Sequence, residues 1–443
     1  MGASWTRPAR QVTASFAVAA LVGTLLLLLP VSRTPGSPAD LMVASFTTVS
    51  ALCVTGLITV DTATYWTPFG QAVILALIHV GGAGVMALAT LLALTVRGRL
   101  GLRGALVAQA ETHTGSLGDV RRVLVRIVVV MLGVETAAAL VLAVRFRVGY
   151  DLGWAGAAWH GVFHAGSAFN NAGFALWTDN LIPFVSDGWV ILPLVAAVVL
   201  GGLGLPVLRE LGRGWRRPSR WSLHTRLTVN GTLVLLLVGT VLFWLFERAP
   251  GGTLAPLGPG GRALGALAGG AFPRTAGFNS VDYALVSDET EAITTVLMFI
   301  GGGSASTAGG IKVTTFLVLV YVVLAEIRGE PDVTIGRRRL ATSVQRQALA
   351  VVVLALALVT TSLVAVMALT DLPAIDLTFE VVSAFATVGL STGITADLPP
   401  AAQVILMVLM FVGRVGSITV ASALALNTHH RHYRLPEERP IVG

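Results

Sequence analysis

The sequence predicts an all-α integral membrane protein with fourfold internal repetition, and three observations carry that prediction. Hydrophobic residues make up 54% of the 443 residues and charged residues 12%, too little polar surface to cover a water-soluble fold. Eight long apolar runs follow one another, most of them near the roughly 20 residues a spanning helix needs. Between them a phrase ending in Gly and a large apolar residue occurs four times. Its copies are Ser50-Ala-Leu-Cys-Val-Thr-Gly-Leu57, Ser167-Ala-Phe-Asn-Asn-Ala-Gly-Phe174, the looser Ala271-Phe-Pro-Arg-Thr-Ala-Gly-Phe278, and Ser383-Ala-Phe-Ala-Thr-Val-Gly-Leu390.

The runs are Phe16 to Leu29, Pro68 to Val96, Ile127 to Val144, Trp189 to Leu208, Thr228 to Phe246, Ile293 to Leu324, Leu349 to Leu369 and Val404 to Leu426. Arg7 and Arg10 ahead of the first run fit the opening of a secretory signal, but no small-x-small cleavage site follows Pro30. The first run is therefore expected to be a retained span. Polar and small flanking residues complete the first and third runs, and the second and sixth are long enough to tilt or break.

The connections alternate in charge. Arg97, Arg99, Arg103, Arg121 and Arg122 follow the second run. Arg209, Arg213, Arg216, Arg217, Arg220 and Arg226 follow the fourth, and Arg328, Arg337, Arg338, Arg339 and Arg346 the sixth. Arg431, Arg434 and Arg439 lie in the carboxyl tail. The positive-inside rule then puts both termini and every second connection in the cytoplasm, and all four Gly phrases outside. The net charge of +7 thus reflects topology rather than a basic face for nucleic acid. The single cysteine, Cys53, excludes an internal disulfide framework and a Cys-based metal site.

Each outside connection also holds a segment too short to cross and too apolar to float in water: Asp40 to Cys53, Leu152 to Asn170, Gly260 to Phe272 and Ile375 to Ala386. These are expected to be re-entrant half-membrane helices buried in protein. Their carboxyl ends, the negative ends of the helix dipoles, point at the membrane centre and favour a cation there. A second repeat supports the division. Gly81-Gly-Ala-Gly84, Gly201-Gly-Leu-Gly204, Gly301-Gly-Gly-Ser304 and Gly413-Arg-Val-Gly416 begin 25, 28, 24 and 24 residues after the phrase Gly. Small residues at such places let helices approach closely. The fold class is thus an all-α integral membrane protein of four tandem helix-pore-helix units around a central ion pathway. The expected units are 1–110, 111–218, 219–335 with an intramembrane loop, and 336–443 with the tail.

Val54-Thr-Gly-Leu57, Phe169-Asn-Asn-Ala-Gly-Phe174, Pro273-Arg-Thr-Ala-Gly-Phe-Asn279, Phe379 to Gly393, Gly301 to Lys312 and Gly413-Arg414 together resemble the potassium-translocating subunit of the Ktr/Trk/HKT superfamily. With no extra helices before the first pore segment, the chain is more similar to the shorter KtrB branch than to TrkH. The resemblance implies that backbone carbonyls of Val54, Thr55 and Gly56, Asn171, Ala172 and Gly173, Thr275, Ala276 and Gly277, and Thr387, Val388 and Gly389 replace the water around K+. One filter Gly per unit, against the two of tetrameric potassium channels, implies looser discrimination between K+ and Na+.

The resemblance also implies that Gly301, Gly302, Gly303, Ser304, Ala305, Ser306, Thr307, Ala308, Gly309 and Gly310 form an intramembrane gate, with Arg414 beneath the pore. Ile311 between Gly310 and Lys312 breaks the phosphate-loop pattern, which is rejected. A Gly-rich gate is expected to have little side-chain packing to hold it. Lys312, the only lysine of the chain, lies inside an apolar run, so a functional or pairing role is expected for it. Arg274 is expected to pair with a pore-region carboxylate such as Glu380, and Glu380 to be buried and paired. His79 and Glu135 are expected to be satisfied structural residues, and His429, His430 and His432 part of a solvated basic tail.

No nucleophile-base set or metal-ligand spacing appears, so an enzyme is not expected. The function implied is K+ uptake down the electrochemical gradient, with Na+ the second candidate ion and no organic cofactor. The alternative is an alternating-access cation symporter, but its inverted repeats would not leave all four phrases on one side. The resemblance further implies a homodimer on a cytoplasmic RCK-type nucleotide-binding ring, in the plasma membrane of a prokaryote. Membrane lipid accounts for the cytoplasmic arginines as well as such a ring does.

Overall fold

The computed structural model describes residues 6–84, 120–336 and 338–426. The far part of the second run with Arg97, Arg99 and Arg103, and the tail with His429, His430, His432, Arg431, Arg434 and Arg439, lie outside the described residues.

Among the described residues the chain is helical, with one two-stranded turn pairing Thr334–Ile335 and Arg338–Arg339. Among the described residues the helices of ten or more residues are, in order, α1 Thr6–Leu28, α2 Leu41–Leu52, α3 Pro68–Gly82, α4 Val120–Gly149, α5 Trp154–Phe169, α6 Gly188–Leu203 and α7 Leu205–Gly214. They continue with α8 Leu223–Glu247, α9 Pro259–Ala271, α10 Asp288–Phe299, α11 Val313–Ile327, α12 Thr342–Met367, α13 Ala374–Ala386 and α14 Pro400–Leu426. Local chemistry starts many of them: the Asp40 carboxylate accepts from Met42 N at 2.7 Å, Thr67 caps α3 ahead of Pro68, and Ser222 and Ser287 cap α8 and α10.

Short helices form at all four of these segments, as α2, α5, α9 and α13, within two residues of the expected limits. Ile127–Gly149, Leu223–Glu247 and Thr342–Met367 are by length and composition able to cross a membrane unaided. Their outer faces stay apolar and exposed, as at Val129, Leu237 and Val364, which suits lipid rather than water.

The fourth run departs from expectation. Trp189 to Leu208 is not one helix: the chain breaks at Gly204, where φ is +83°, and α7 leaves α6 at 104°. A positive φ is open to Gly and closed to most residues, so the helix ends there although the apolar run goes on. The sixth run breaks as expected, α10 ending at Phe299 and α11 starting at Val313.

The packing closes on itself. Helix α3 contacts α5, α6 contacts α9, α10 contacts α13, and α14 returns to α2. Each of α3, α6 and α10 therefore touches the next of the four short helices, and α14 touches the first.

Candidate functional site

The carboxyl ends of α2, α5, α9 and α13 lead into four loops with one backbone signature. The phrase glycines have positive φ, at +99° for Gly56, +71° for Gly173, +67° for Gly277 and +98° for Gly389. Two residues earlier the φ is again positive: Val54 +57°, Asn171 +60°, Thr275 +74° and Thr387 +50°. Turning the backbone over at alternate residues brings successive carbonyls to one side. For the β-branched Val54, Thr275 and Thr387 this is a strained conformation costing about 1–3 kcal/mol each, held because all three are buried.

The four glycines form a closed ring. A Cβ on Gly56 would overlap the carbonyl oxygen of Ala172, and one on Gly173 would lie 2.7 Å from that of Ala276. A Cβ on Gly277 would overlap the carbonyl of Val388, and one on Gly389 that of Thr55. Every unit thus packs its Gly against the carbonyl just before the Gly of the next. Behind the ring, the large apolar residues Leu57, Phe174, Phe278 and Leu390 are buried, which explains the Gly-apolar signature.

The carbonyls themselves are poorly partnered. Of those at Val54 to Gly56, Asn171 to Gly173, Thr275 to Gly277 and Thr387 to Gly389, only that of Gly173 accepts a hydrogen bond from the described residues, a 3.5 Å contact from Asn180. Buried carbonyls without protein donors are costly unless something positive faces them.

The second-helix glycines seat the re-entrant helices. A Cβ on Gly81, Gly201 or Gly413 would overlap the carbonyl of Leu52, Phe169 or Phe385, each four residues before a ring Gly. The third unit differs, because a Cβ on Gly301 meets the carbonyl of Gly309 within its own loop.

That loop, 301–310, is held by hydrogen bonds, most of them to backbone carbonyls. Gly303 N donates to the Gly202 carbonyl at 2.8 Å, Gly301 N to that of Ile311 at 2.8 Å and Val313 N to that of Gly302 at 3.0 Å. The Thr307 hydroxyl donates to the Phe169 carbonyl at 3.1 Å, and the Ser306 hydroxyl to that of Gly303 at 2.7 Å. Glycines let the loop come close enough for backbone bonds to replace side-chain packing; a Cβ on Gly309 would overlap the Thr387 hydroxyl. Lys312 Nζ donates to the Ala308 carbonyl at 2.6 Å. Arg414, from α14, donates to the carbonyls of Thr307 and Gly81 and so bridges the loop to α3.

Arg274 does not pair with Glu380. Its guanidinium is buried and donates to the Thr232 carbonyl at 3.1 Å and the Gly301 carbonyl at 3.4 Å, tying the third unit to α8 and the loop. Backbone carbonyls sit nearer than any carboxylate, so the charge is met by dipoles. Glu380 is buried and accepts from the Thr395 hydroxyl instead.

His79 and Glu135 pair with each other at 3.0 Å between α3 and α4. Asn170, beside the second ring loop, adds a 2.8 Å bond to the same carboxylate. His79 Nδ1 donates to the Leu75 carbonyl at 2.8 Å. Sequence reasoning did not see this link, since residues 79, 135 and 170 are far apart in the chain.

Residues 8–430 match the family described as TrkH, cation transport protein. The chain is 37% identical over 441 residues to Ktr system potassium uptake protein B of Bacillus subtilis (strain 168), covering 99% of this chain and 98% of that one. The chain belongs to the TrkH family of cation transport proteins. Ktr system potassium uptake protein B of Vibrio alginolyticus is 38% identical over 436 residues, 98% of this chain and 94% of that one. Potassium/sodium uptake protein NtpJ of Enterococcus hirae is 34% identical over 447 residues, 98% of this chain and 97% of that one. The crystal structure of the potassium transporter TrkH from Vibrio parahaemolyticus superposes with a TM-score of 0.71 at 17% identity, over 97% of this chain and 86% of that one. At that identity the match supports the fold, a multi-pass helical membrane protein. Members of the family are transporters, and this chain is not an enzyme.

Proposed function

We propose that this chain is the membrane-spanning subunit of a potassium uptake system, passing K+ into the cell through the ring of four Gly loops. The closed ring carries the reading: four loops, three of them strained, bring buried carbonyls with almost no protein donors to one place. Such carbonyls replace the hydration shell of a monovalent cation, and the four converging helix ends add negative potential. K+ is the transported ion, Na+ the second candidate, and no organic cofactor is needed. Entry yields about 2.3 kcal/mol per 100 mV of membrane potential, so conduction requires no chemistry.

The filter carbonyls are those of Val54, Thr55 and Gly56, Asn171, Ala172 and Gly173, Thr275, Ala276 and Gly277, and Thr387, Val388 and Gly389. The four units run 1–110, 111–218, 219–335 and 336–443. The loop Gly301 to Gly310, with Lys312 and Arg414, is the gate: it lies against Phe169 and Thr387 at the ends of two pore helices, and its bond to Arg414 is the latch. The subunit works as a homodimer on a cytoplasmic RCK-type nucleotide-binding ring, with both termini cytoplasmic and membrane lipid around it. The Ktr relatives are named as parts of a system, which supports a further, separate component. The test is Rb+ uptake in bacteria lacking their own potassium uptake. Expression of this chain restores growth at low K+, more so with its ring subunit, and failure of both arms in cells that insert the protein overturns the proposal.

A further inference from the structure

The four ring loops are not held alike, and the difference lies in one position. Six residues before each ring Gly stand Ser50, Ser167, Ala271 and Ser383. In the first unit the Ser50 hydroxyl accepts from Gly56 N at 3.1 Å, and in the fourth the Ser383 hydroxyl accepts from Gly389 N at 3.0 Å. Both serines are fully buried. In the second unit Ser167 is equally buried, yet its hydroxyl has no partner. The third unit has no hydroxyl there, and Gly277 N donates to the Phe272 backbone carbonyl at 3.2 Å instead.

We propose that Ser50 and Ser383 are positioning residues for ion discrimination, fixing the carbonyls of Thr55 and Val388 toward the ion path. The inference rests on the filter reading above. The physical reason is the planarity of the peptide bond. The N–H of Gly56 and the carbonyl of Thr55 belong to one trans peptide unit and point in opposite directions. A hydroxyl that draws the N–H back into the pore helix turns the carbonyl away from it, and rotation of that plane costs a buried hydrogen bond. The same holds for Gly389 and Val388. The two braced planes also bear on neighbours: Gly389 packs against the Thr55 carbonyl and Gly277 against the Val388 carbonyl. Bracing is thus concentrated where the fourth unit meets the first and third. In the third unit the Phe272 carbonyl holds the Gly277 N–H in place of a hydroxyl, so the second unit, where Ser167 makes no such bond, is the compliant part of the ring.

The experiment measures the K+ to Na+ permeability ratio from reversal potentials of the purified protein in lipid bilayers. That ratio does not depend on how much protein is active, so a merely structural loss leaves it unmoved. Ser50→Ala and Ser383→Ala each lower the ratio about three- to tenfold, the loss of one buried hydrogen bond. Ser167→Ala, the same change at the same register where no bond exists, leaves it within about twofold of wild type, a shift smaller than one such bond gives. Gly56→Ser is measured beside them. If Gly56→Ser leaves the ratio unchanged, the filter reading itself falls. If Gly56→Ser lowers it while Ser50→Ala and Ser383→Ala do not, or if Ser167→Ala lowers it as much as they do, the positioning role is overturned.

Discussion

Replacing Gly389 by Ala tests the ring most sharply, because a second glycine supplies the control. Gly389 and Gly393 have the same φ of +98°. A Cβ on Gly389 would overlap the Thr55 carbonyl oxygen and lie 2.9 Å from Gly56 Cα, whereas one on Gly393 meets nothing within 4 Å. Both substitutions carry the cost of a side chain at positive φ, about 1–2 kcal/mol. Only Gly389→Ala must also push a ring carbonyl aside, so its total strain is placed at about 1–3 kcal/mol above that of Gly393→Ala. Where that strain falls on the K+-bound state, the K+ preference drops about five- to 150-fold, since 1.4 kcal/mol is a factor of ten. The assay is competitive Rb+ and Na+ uptake into liposomes containing each variant, with thermal unfolding measured in parallel. Gly393→Ala is expected to lose a little stability and keep the wild-type ratio. Equal ratios in the two variants would refute the reasoning, for the carbonyl overlap would then have no consequence.

Further outcomes follow from the loop and its neighbours. Arg414→Ala removes the bond to Thr307 and a positive charge from the cation's route, and raises flux measured without any partner subunit. Deleting Ser304 to Ala308 likewise raises flux without changing ion preference; a correctly assembled deletion variant at wild-type rate would place the gate elsewhere. Arg274→Met leaves the Thr232 and Gly301 carbonyls without their charged donor and is expected to cost about 2–4 kcal/mol, read as a lower midpoint in thermal unfolding. Glu135→Ala takes the carboxylate acceptor from His79 Nε2 and from one Asn170 Nδ2 bond and destabilises by about 1–3 kcal/mol, while Glu135→Gln keeps one acceptor and loses less.

Much of the architecture was legible because membrane burial imposes length and polarity limits. The four short helices showed themselves as segments too short to cross and too apolar to float in water, whereas the Asp40 cap ahead of α2 was seen only in the structure. The ring glycines were legible because positive φ selects Gly, and the apolar residue after each one because it is buried. What was not legible is instructive. Val54, Thr275 and Thr387 adopt positive φ although β-branched residues avoid it, so no residue preference marks them. The break at Gly204 was hidden inside an apolar run whose hydropathy continues to Leu208. Gly301 repeats the spacing of Gly81, Gly201 and Gly413 but packs against the Gly309 carbonyl of its own loop, which the spacing alone does not reveal. Arg274 invited a carboxylate partner by charge, whereas the fold offers it carbonyls. The 301–310 loop is held by backbone bonds and by side-chain donors to its carbonyls, from Lys312 and Arg414, a pattern that composition does not report.

The most direct test of the central claim is K+ movement into liposomes containing this chain alone, at zero membrane potential, with an imposed proton or Na+ gradient and equal K+ on both sides. A selective passive pathway predicts no net K+ accumulation under either gradient, and rapid accumulation once a negative inside potential is applied. Uphill K+ accumulation driven by the proton or Na+ gradient would contradict it and make the chain an alternating-access symporter.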